Sequence, residues 1–208
     1  MHPNPVFRTS DHAADIAFAS ERGFGMLAVG DGAGVPHLSH VPFLLSGDGT
    51  TAELHLVRSN PIARSVSDRA GARLAVSGPD GYVSPDWYGL DDQVPTWNYV
   101  AVHLTGTLER RPTDELLPML DRLSEAFEAR LAPKRPWTTA KMTEAARDKL
   151  LRAIVPYVLR VDAIDATWKL NQNKTPGARH GAADRIAAAG IGHELDALAR
   201  LMTDPPAP

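Results

Sequence analysis

The sequence predicts a mainly β protein with peripheral helices, of the α+β class, built as an antiparallel barrel with helices on its outside. Three observations carry this expectation. Strand-like runs outnumber helical ones and do not alternate with them as a doubly wound sheet requires. One strand-like run, Thr96–Arg110, is so long that it must bend or span a barrel. The helical patterns gather around residues 113–155 and in the C-terminal tail, and no internal repeat is present.

Taken in order, Ser10 and Asp11 are placed to cap a first helix to about Ser20, their side-chain oxygens accepting from first-turn amides. Ala14, Ile16, Ala17 and Phe18 supply its apolar surface. Strands at residues 24–29 and 36–45 are joined by the glycine-permitted turn Gly30-Asp31-Gly32-Ala33-Gly34. Gly47-Asp48-Gly49 marks the next turn, before a half-buried strand at residues 52–57. Asn60-Pro61 opens a helix over residues 61–69, because Asn favours the cap and Pro the first helical position. Residues 73–77 and 81–84 read as separate strands on either side of Gly78-Pro79-Asp80.

Thr113 or Asp114 then opens a helix whose Leu116, Leu120, Leu123, Phe127 and Leu131 share one face, limited near its start by Pro118. A helical pattern over residues 143–155 leads to strands at 157–164 and 167–170. The tail reads as helices at 182–189 and 194–202, broken at Gly190. This gives one barrel domain over residues 1–173 with a helical insertion at about 113–155, and a C-terminal helical extension over 174–208.

Bulk composition narrows the function. The 208 residues are 43% hydrophobic and 23% charged, an ordinary globular profile. A formal charge of −3 provides no overall attraction for a phosphate backbone. The absence of cysteine removes disulfides, zinc-thiolate sites and thiol nucleophiles. No stretch approaches the roughly 20 apolar residues that span a bilayer, and the first residues carry no basic start followed by an apolar run, so a cytoplasmic location is expected. The eight histidines, including His37, His40, His55 and His103, show no HxxxH or HExxH spacing, and no metal is expected. Neither GxGxxG, GxxxxGK[ST] nor GxSxG occurs in a supporting context, which leaves dinucleotide binding by a Rossmann unit and serine hydrolysis without support.

Three polar-aromatic clusters remain: Tyr82-Val83-Ser84-Pro85-Asp86-Trp87-Tyr88, Val94-Pro95-Thr96-Trp97-Asn98-Tyr99, and Trp168-Lys169-Leu170-Asn171-Gln172-Asn173. Flat apolar bodies with hydrogen-bonding edges suit a planar heteroaromatic ligand, and equally suit an aromatic core with loop caps. A fourth constellation, Arg58-Ser59-Asn60-Pro61 with Arg64 one turn further, combines guanidinium groups, a hydroxyl and helix-start amides, a donor set for a phosphate or an ordinary helix cap.

In this order, His40-Val41-Pro42-Phe43, Arg58-Ser59-Asn60-Pro61, Tyr82 to Tyr88, Val94 to Tyr99 with Val102-His103 and Gly106, and Lys169 to Asn173 resemble the motif succession of the PaiB-like family of FMN-binding negative transcriptional regulators. The resemblance covers about residues 7–173. It implies the FMN-binding split β-barrel, also used by pyridoxamine phosphate oxidases and flavin reductases, in which two identical subunits pair and FMN lies in the groove between them. It implies Arg58, Asn60 and Arg64, with Ser59, at the phosphate. It further implies Trp97, Asn98, Lys169, Gln172 and Asn173 at the ring or its walls; if the chain is an oxidoreductase, His40, His103 and Lys169 are candidate donors of protons or hydrogen bonds near the flavin. Two departures stand out: Asp86 lies between Pro85 and Trp87, and residues 175–183 intervene before Asp184-Arg185, a pair that the family usually reaches sooner after Asn173.

The readings left open are a flavin-binding regulator, an FMN-dependent oxidoreductase such as a flavin reductase or oxidase acting through the flavin's own chemistry, and a haem-handling split barrel using one free histidine. The only helix-turn-helix candidate lies around Ala189-Gly190-Ile191, and Glu194 and Asp196 open its second helix, so direct DNA binding is not expected.

Overall fold

The computed structural model describes residues 1–8, 12–30, 32 and 34–206. Ser10 and Asp11 lie outside them, as do Asp31 and Ala33 of the expected glycine turn. The elements are α1 His12–Arg22, β1 Phe24–Gly30, β2 Pro36–Leu45, β3 Thr51–Val57, α2 Pro61–Ser65, β4 Arg69–Val83, β5 Thr96–Arg110, α3 Leu116–Ala129, α4 Glu144–Leu151, β6 Ile154–Lys169, α5 Pro176–Ile186, β7 Gly192–His193 and α6 Leu195–Thr203. The strands form one seven-stranded sheet in the order β1-β2-β3-β6-β5-β4-β7, and β4 also pairs with β1, closing six strands into a ring. The mainly antiparallel, α+β split barrel expected from the sequence is the fold observed.

The chain divides into two compact units. The barrel unit comprises Ala19–Ala75 and Leu104–Ala163. In its ring β1 pairs antiparallel with β2 and β4, β2 with β3 and β3 with β6: Met26 opposes His40 and Ala75, Phe43 opposes Leu54, and Leu54 opposes Tyr157. Alternation along the strands sends Leu27, Val29, Phe43, Leu54, Leu56, Leu74, Leu104, Leu108 and Leu159 inward, all of them buried. The tail unit comprises Met1–Phe18, Val76–His103 and Ile164–Pro208. There β7 pairs with β4 at Asp80 and Gly81, and α6 buries Leu198 and Met202.

Several boundaries differ from the sequence reading, those of α2 and α4 through a tertiary contact. Helix α2 ends at Ser65 rather than near 69, because Val66 is buried in extended conformation and its carbonyl accepts from the Tyr157 hydroxyl at 3.1 Å. Helix α4 stops at Leu151 rather than 155, because Ile154 and Val155 pair with Val57 and Leu56 on β3. Helix α3 ends at Ala129, leaving Leu131 exposed beyond it.

Residues 73–77 and 81–84 belong mainly to one strand, β4. Gly78 is there a point of close approach rather than a turn: a Cβ on it would lie 2.4 Å from the Phe18 ring. Likewise β6 runs unbroken from Ile154 to Lys169. In the tail, α5 starts at Pro176 rather than 182, with Thr175 as N-cap and proline in the first turn, a start signal passed over in the sequence. Strand β7 lies between α5 and α6, and the preceding Ile191 carbonyl accepts from the Tyr82 amide at 3.1 Å, so this is not the short turn of a helix-turn-helix.

The Gly47-Asp48-Gly49 turn is as expected, and its carboxylate closes it. Asp48 accepts from the Ser46 hydroxyl at 2.6 Å, the Thr50 amide at 3.0 Å and the Thr50 hydroxyl at 2.8 Å. These bonds, Ser46 foremost, hold its pKa down to about 2 from an ordinary 3.8. Because the folded value is depressed, the turn's contribution is fully present above pH 3.8 and lost as pH falls through about 2. A carboxyl ¹³C titration of Asp48 is expected to show its midpoint near 2; a midpoint at the ordinary value contradicts this role for the turn.

Candidate functional site

The sequence-predicted residues fall into two groups, one in each unit. In the barrel unit, the segment linking β3 to α2 holds Arg58, Ser59 and Asn60. Asn60 caps α2, its Oδ1 accepting from the Ile62 amide at 2.9 Å while its Nδ2 donates to Ser39 Oγ at 3.0 Å. That bond ties the segment to β2. Arg58 turns back on its own unit: Nε donates to the Arg152 carbonyl at 3.0 Å and Nη2 to the Ile154 carbonyl at 3.3 Å. It thereby fastens the β3 end to the start of β6, with donors of the guanidinium still to spare.

Ser59 and Arg64 are exposed, and neither side chain has a partner among the described residues. Their hydroxyl and guanidinium are therefore the uncommitted donors of this group. The amides of α2 add little, since the helix is five residues long and Asn60 already satisfies Ile62. His40 lies on β2, exposed, with its ring stacked 6.3 Å from Phe24 at an interplanar angle of 22°. His55 on β3 has its Nδ1 buried without a partner among the described residues, and burial lowers its pKa.

In the tail unit, alternation along β5 separates neighbouring predictions. Trp97 points outward, 47% exposed, edge-on to Tyr82 at 6.4 Å. Asn98 points inward at 0% exposure, and both of its amide atoms lack partners among the described residues. Lys169, at the end of β6, donates to Thr96 Oγ1 at 2.5 Å and lies 5.9 Å from the Phe7 ring centre; partial burial lowers its pKa.

Gln172 folds onto its own turn, accepting from the Leu170 amide at 2.8 Å and donating to the Trp168 carbonyl at 2.5 Å. It shapes the turn that presents Asn173, whose side chain is exposed. Within each unit the structure thus brings together Ser39 with Asn60, and Lys169 with Thr96.

Sequence reasoning missed a polar network beside these residues. Asn171 is buried in left-handed conformation (φ 64°), and its Oδ1 accepts from the Tyr88 hydroxyl at 3.2 Å. Lys174 donates to Gln93 Oε1 at 2.5 Å and sits 5.0 Å above the Tyr88 ring. The available signal was Asn171 itself, since asparagine at a strand end is a usual left-handed residue. Buried Asp15 accepts from Trp168 Nε1 at 2.8 Å, a pairing 153 residues apart in sequence that no local pattern announces. Among the described residues, no three His, Asp or Glu side chains converge as a metal site, and no helix is long and apolar enough to cross a membrane.

Comparison with known proteins gives this geometry a context. The family model described as "Putative FMN-binding domain" matches residues 1–163. The "Protease synthase and sporulation protein PAI 2" of Bacillus subtilis (strain 168) is 30% identical over 176 residues, 84% of this chain and 83% of that protein. Among solved structures, the fold is similar to that of the FAD and heme binding protein from Mycobacterium smegmatis, with a TM-score of 0.56 at 22% identity over 88% of this chain and 80% of that one. It is also similar to the flavocytochrome Anf3 from Azotobacter vinelandii, with a TM-score of 0.57 at 15% identity over 81% and 72% of the two chains. At these identities the structural likenesses establish fold alone. The family match and the Bacillus relative go further, and by both the chain belongs to the "Putative FMN-binding domain" family, related to PAI 2.

Proposed function

We propose that this chain binds FMN and does so as a homodimer. The observation that carries the reading is the family match over residues 1–163 on a closed six-strand ring. The donor set fits the ligand: FMN ends in a phosphate monoester, and the uncommitted Ser59 hydroxyl and Arg64 guanidinium offer hydrogen bonds and charge for it. Arg58 and Asn60 act there chiefly by holding the segment in shape.

Exposed Trp97, with Lys169 and Asn173, supplies aromatic and polar surface suited to a flavin ring, as the family resemblance implies. Gln172 contributes by shaping the turn that carries Asn173, and Asn98 lies on the inward side of the strand that carries Trp97. His40, exposed on β2, is assigned a hydrogen-bonding place near the flavin. When bound, the flavin supplies redox chemistry; the chain's own residues bind and orient it.

Dimerisation is supported by apolar surface left open on each unit: Phe24, Leu38 and Val57 on the barrel unit are each more than half exposed, and Val94 on the tail unit is 73% exposed. A two-fold contact would bury such surface on both copies at once.

The test is the visible spectrum of the purified chain before and after addition of FMN, with its mass measured by light scattering. A flavin spectrum perturbed from that of free FMN, at about twice 22.5 kDa, is expected. A monomer that binds FMN at full affinity contradicts a shared site. Between regulator and oxidoreductase, the strand between α5 and α6 and the acidic Glu194 and Asp196 favour a role without direct DNA contact. Regulation, if exerted, then runs through flavin chemistry or a protein partner.

A further inference from the structure

Within the barrel unit, α3 and α4 flank a half-open recess of about 200 Å³ that none of the flavin-related residues lines. Its walls are chiefly apolar, with Leu117, Leu120, Met142, Leu151 and Ile154, and Arg147 is the only charged residue among them. An apolar cavity of about 150 Å³ stays dry and admits benzene, so this one has room for a phenyl ring or a short hydrocarbon chain. A second recess of about 380 Å³ shares Ser124, Trp137 and Thr139 with it and is also lined by Asp121 and Glu125, so an anionic head is excluded on that side and belongs at Arg147.

Two independent observations indicate what the cavity is built to hold. Helix α4 has no buried residue, and its Leu150 is 58% exposed, so its apolar side is incompletely satisfied by the fold. Arg147 Nε is buried with no acceptor among the described residues, although the side chain as a whole is 31% exposed. Its Nη2 is 3.5 Å from Asp148 Oδ1, an ion-pair contact, and neither Nη makes a hydrogen bond among the described residues. A guanidinium whose outer donors are open and without a hydrogen-bond acceptor beside an apolar recess is matched by an anionic head group.

We propose that this cavity is a binding site for a small apolar carboxylate, with the hydrocarbon part among the leucines and the carboxylate on the Arg147 guanidinium. The outer Nη1 and Nη2 edge of the guanidinium presents paired donors to the two oxygens of a carboxylate, and the apolar walls favour a ligand with a single charged head.

Calorimetric titration of the full chain with 3-phenylpropionate, and separately with the neutral 3-phenylpropan-1-ol, tests the assignment. The acid is expected to saturate and to bind more tightly than the alcohol. Arg147→Gln is expected to weaken the acid about tenfold and leave the alcohol within about twofold. Ser124→Phe and Leu120→Trp, each checked for folding by circular dichroism, are two ways to fill the space, and either one that folds should abolish both. Failure of the acid to saturate by about 10 mM overturns the proposal, as does equal binding of the acid by Arg147→Gln. So does a halving of mass in light scattering on adding the acid, which would make the cavity an interface between copies. None of these readouts involves FMN.

Discussion

Replacement of Gly106 by alanine is expected to destabilise the protein by more than about 3 kcal/mol and to lower its Tm by about 10 °C. Gly106 lies on β5 where the neighbouring β6 passes closest, and a Cβ there would fall 1.8 Å from the Arg160 carbonyl oxygen. Backbone, unlike a flexible side chain, cannot swing aside, so the two strands must part at that point of the ring. Gly71→Ala on β4 is the control: a Cβ at Gly71 meets nothing within 4 Å, and its backbone is not left-handed. That variant should stay within about 0.5 kcal/mol of the parent. Equal melting of both variants would mean that the β5–β6 approach does not hold the barrel closed.

The second large effect concerns the phosphate. Because Ser59 and Arg64 are exposed and have no partner among the described residues, removing them together should leave the fold intact. The double variant Ser59→Ala, Arg64→Ala is expected to weaken FMN about 100-fold while changing riboflavin, which lacks the phosphate, by less than about twofold. Loss of both ligands in parallel would move the phosphate elsewhere. Arg58→Ala is a poorer probe, since its guanidinium holds the carbonyls of Arg152 and Ile154 and its loss also loosens the junction of α4 and β6.

Much of the barrel was legible locally. Strict alternation marks β3, the Asn60-Pro61 pair marks the start of α2, and the length of β5 anticipates its place in a barrel. Local pattern failed where a distant contact overrode it. Gly78 looks like a turn until Phe18 is seen lying where its side chain would be, and Ile154 and Val155 look helical until β3 pairs with them.

The candidate site was legible as a set of motifs but not as roles. Trp97 and Asn98 are adjacent in sequence, yet the pleat sends one to solvent and the other into the interior. Arg58 and Arg64 carry the same charge, yet one is spent on backbone carbonyls and the other is uncommitted. Nothing short of the folded chain distinguishes them, because the acceptors of Arg58 lie 94 and 96 residues away.

The most direct test of the central claim is equilibrium dialysis of the purified full chain against FMN, riboflavin and FAD. The account predicts saturation at about one FMN per chain with Kd in the micromolar range or below, and weaker binding of both riboflavin and FAD. FAD retained as tightly as FMN, or no saturable FMN binding up to about 1 mM, would contradict it.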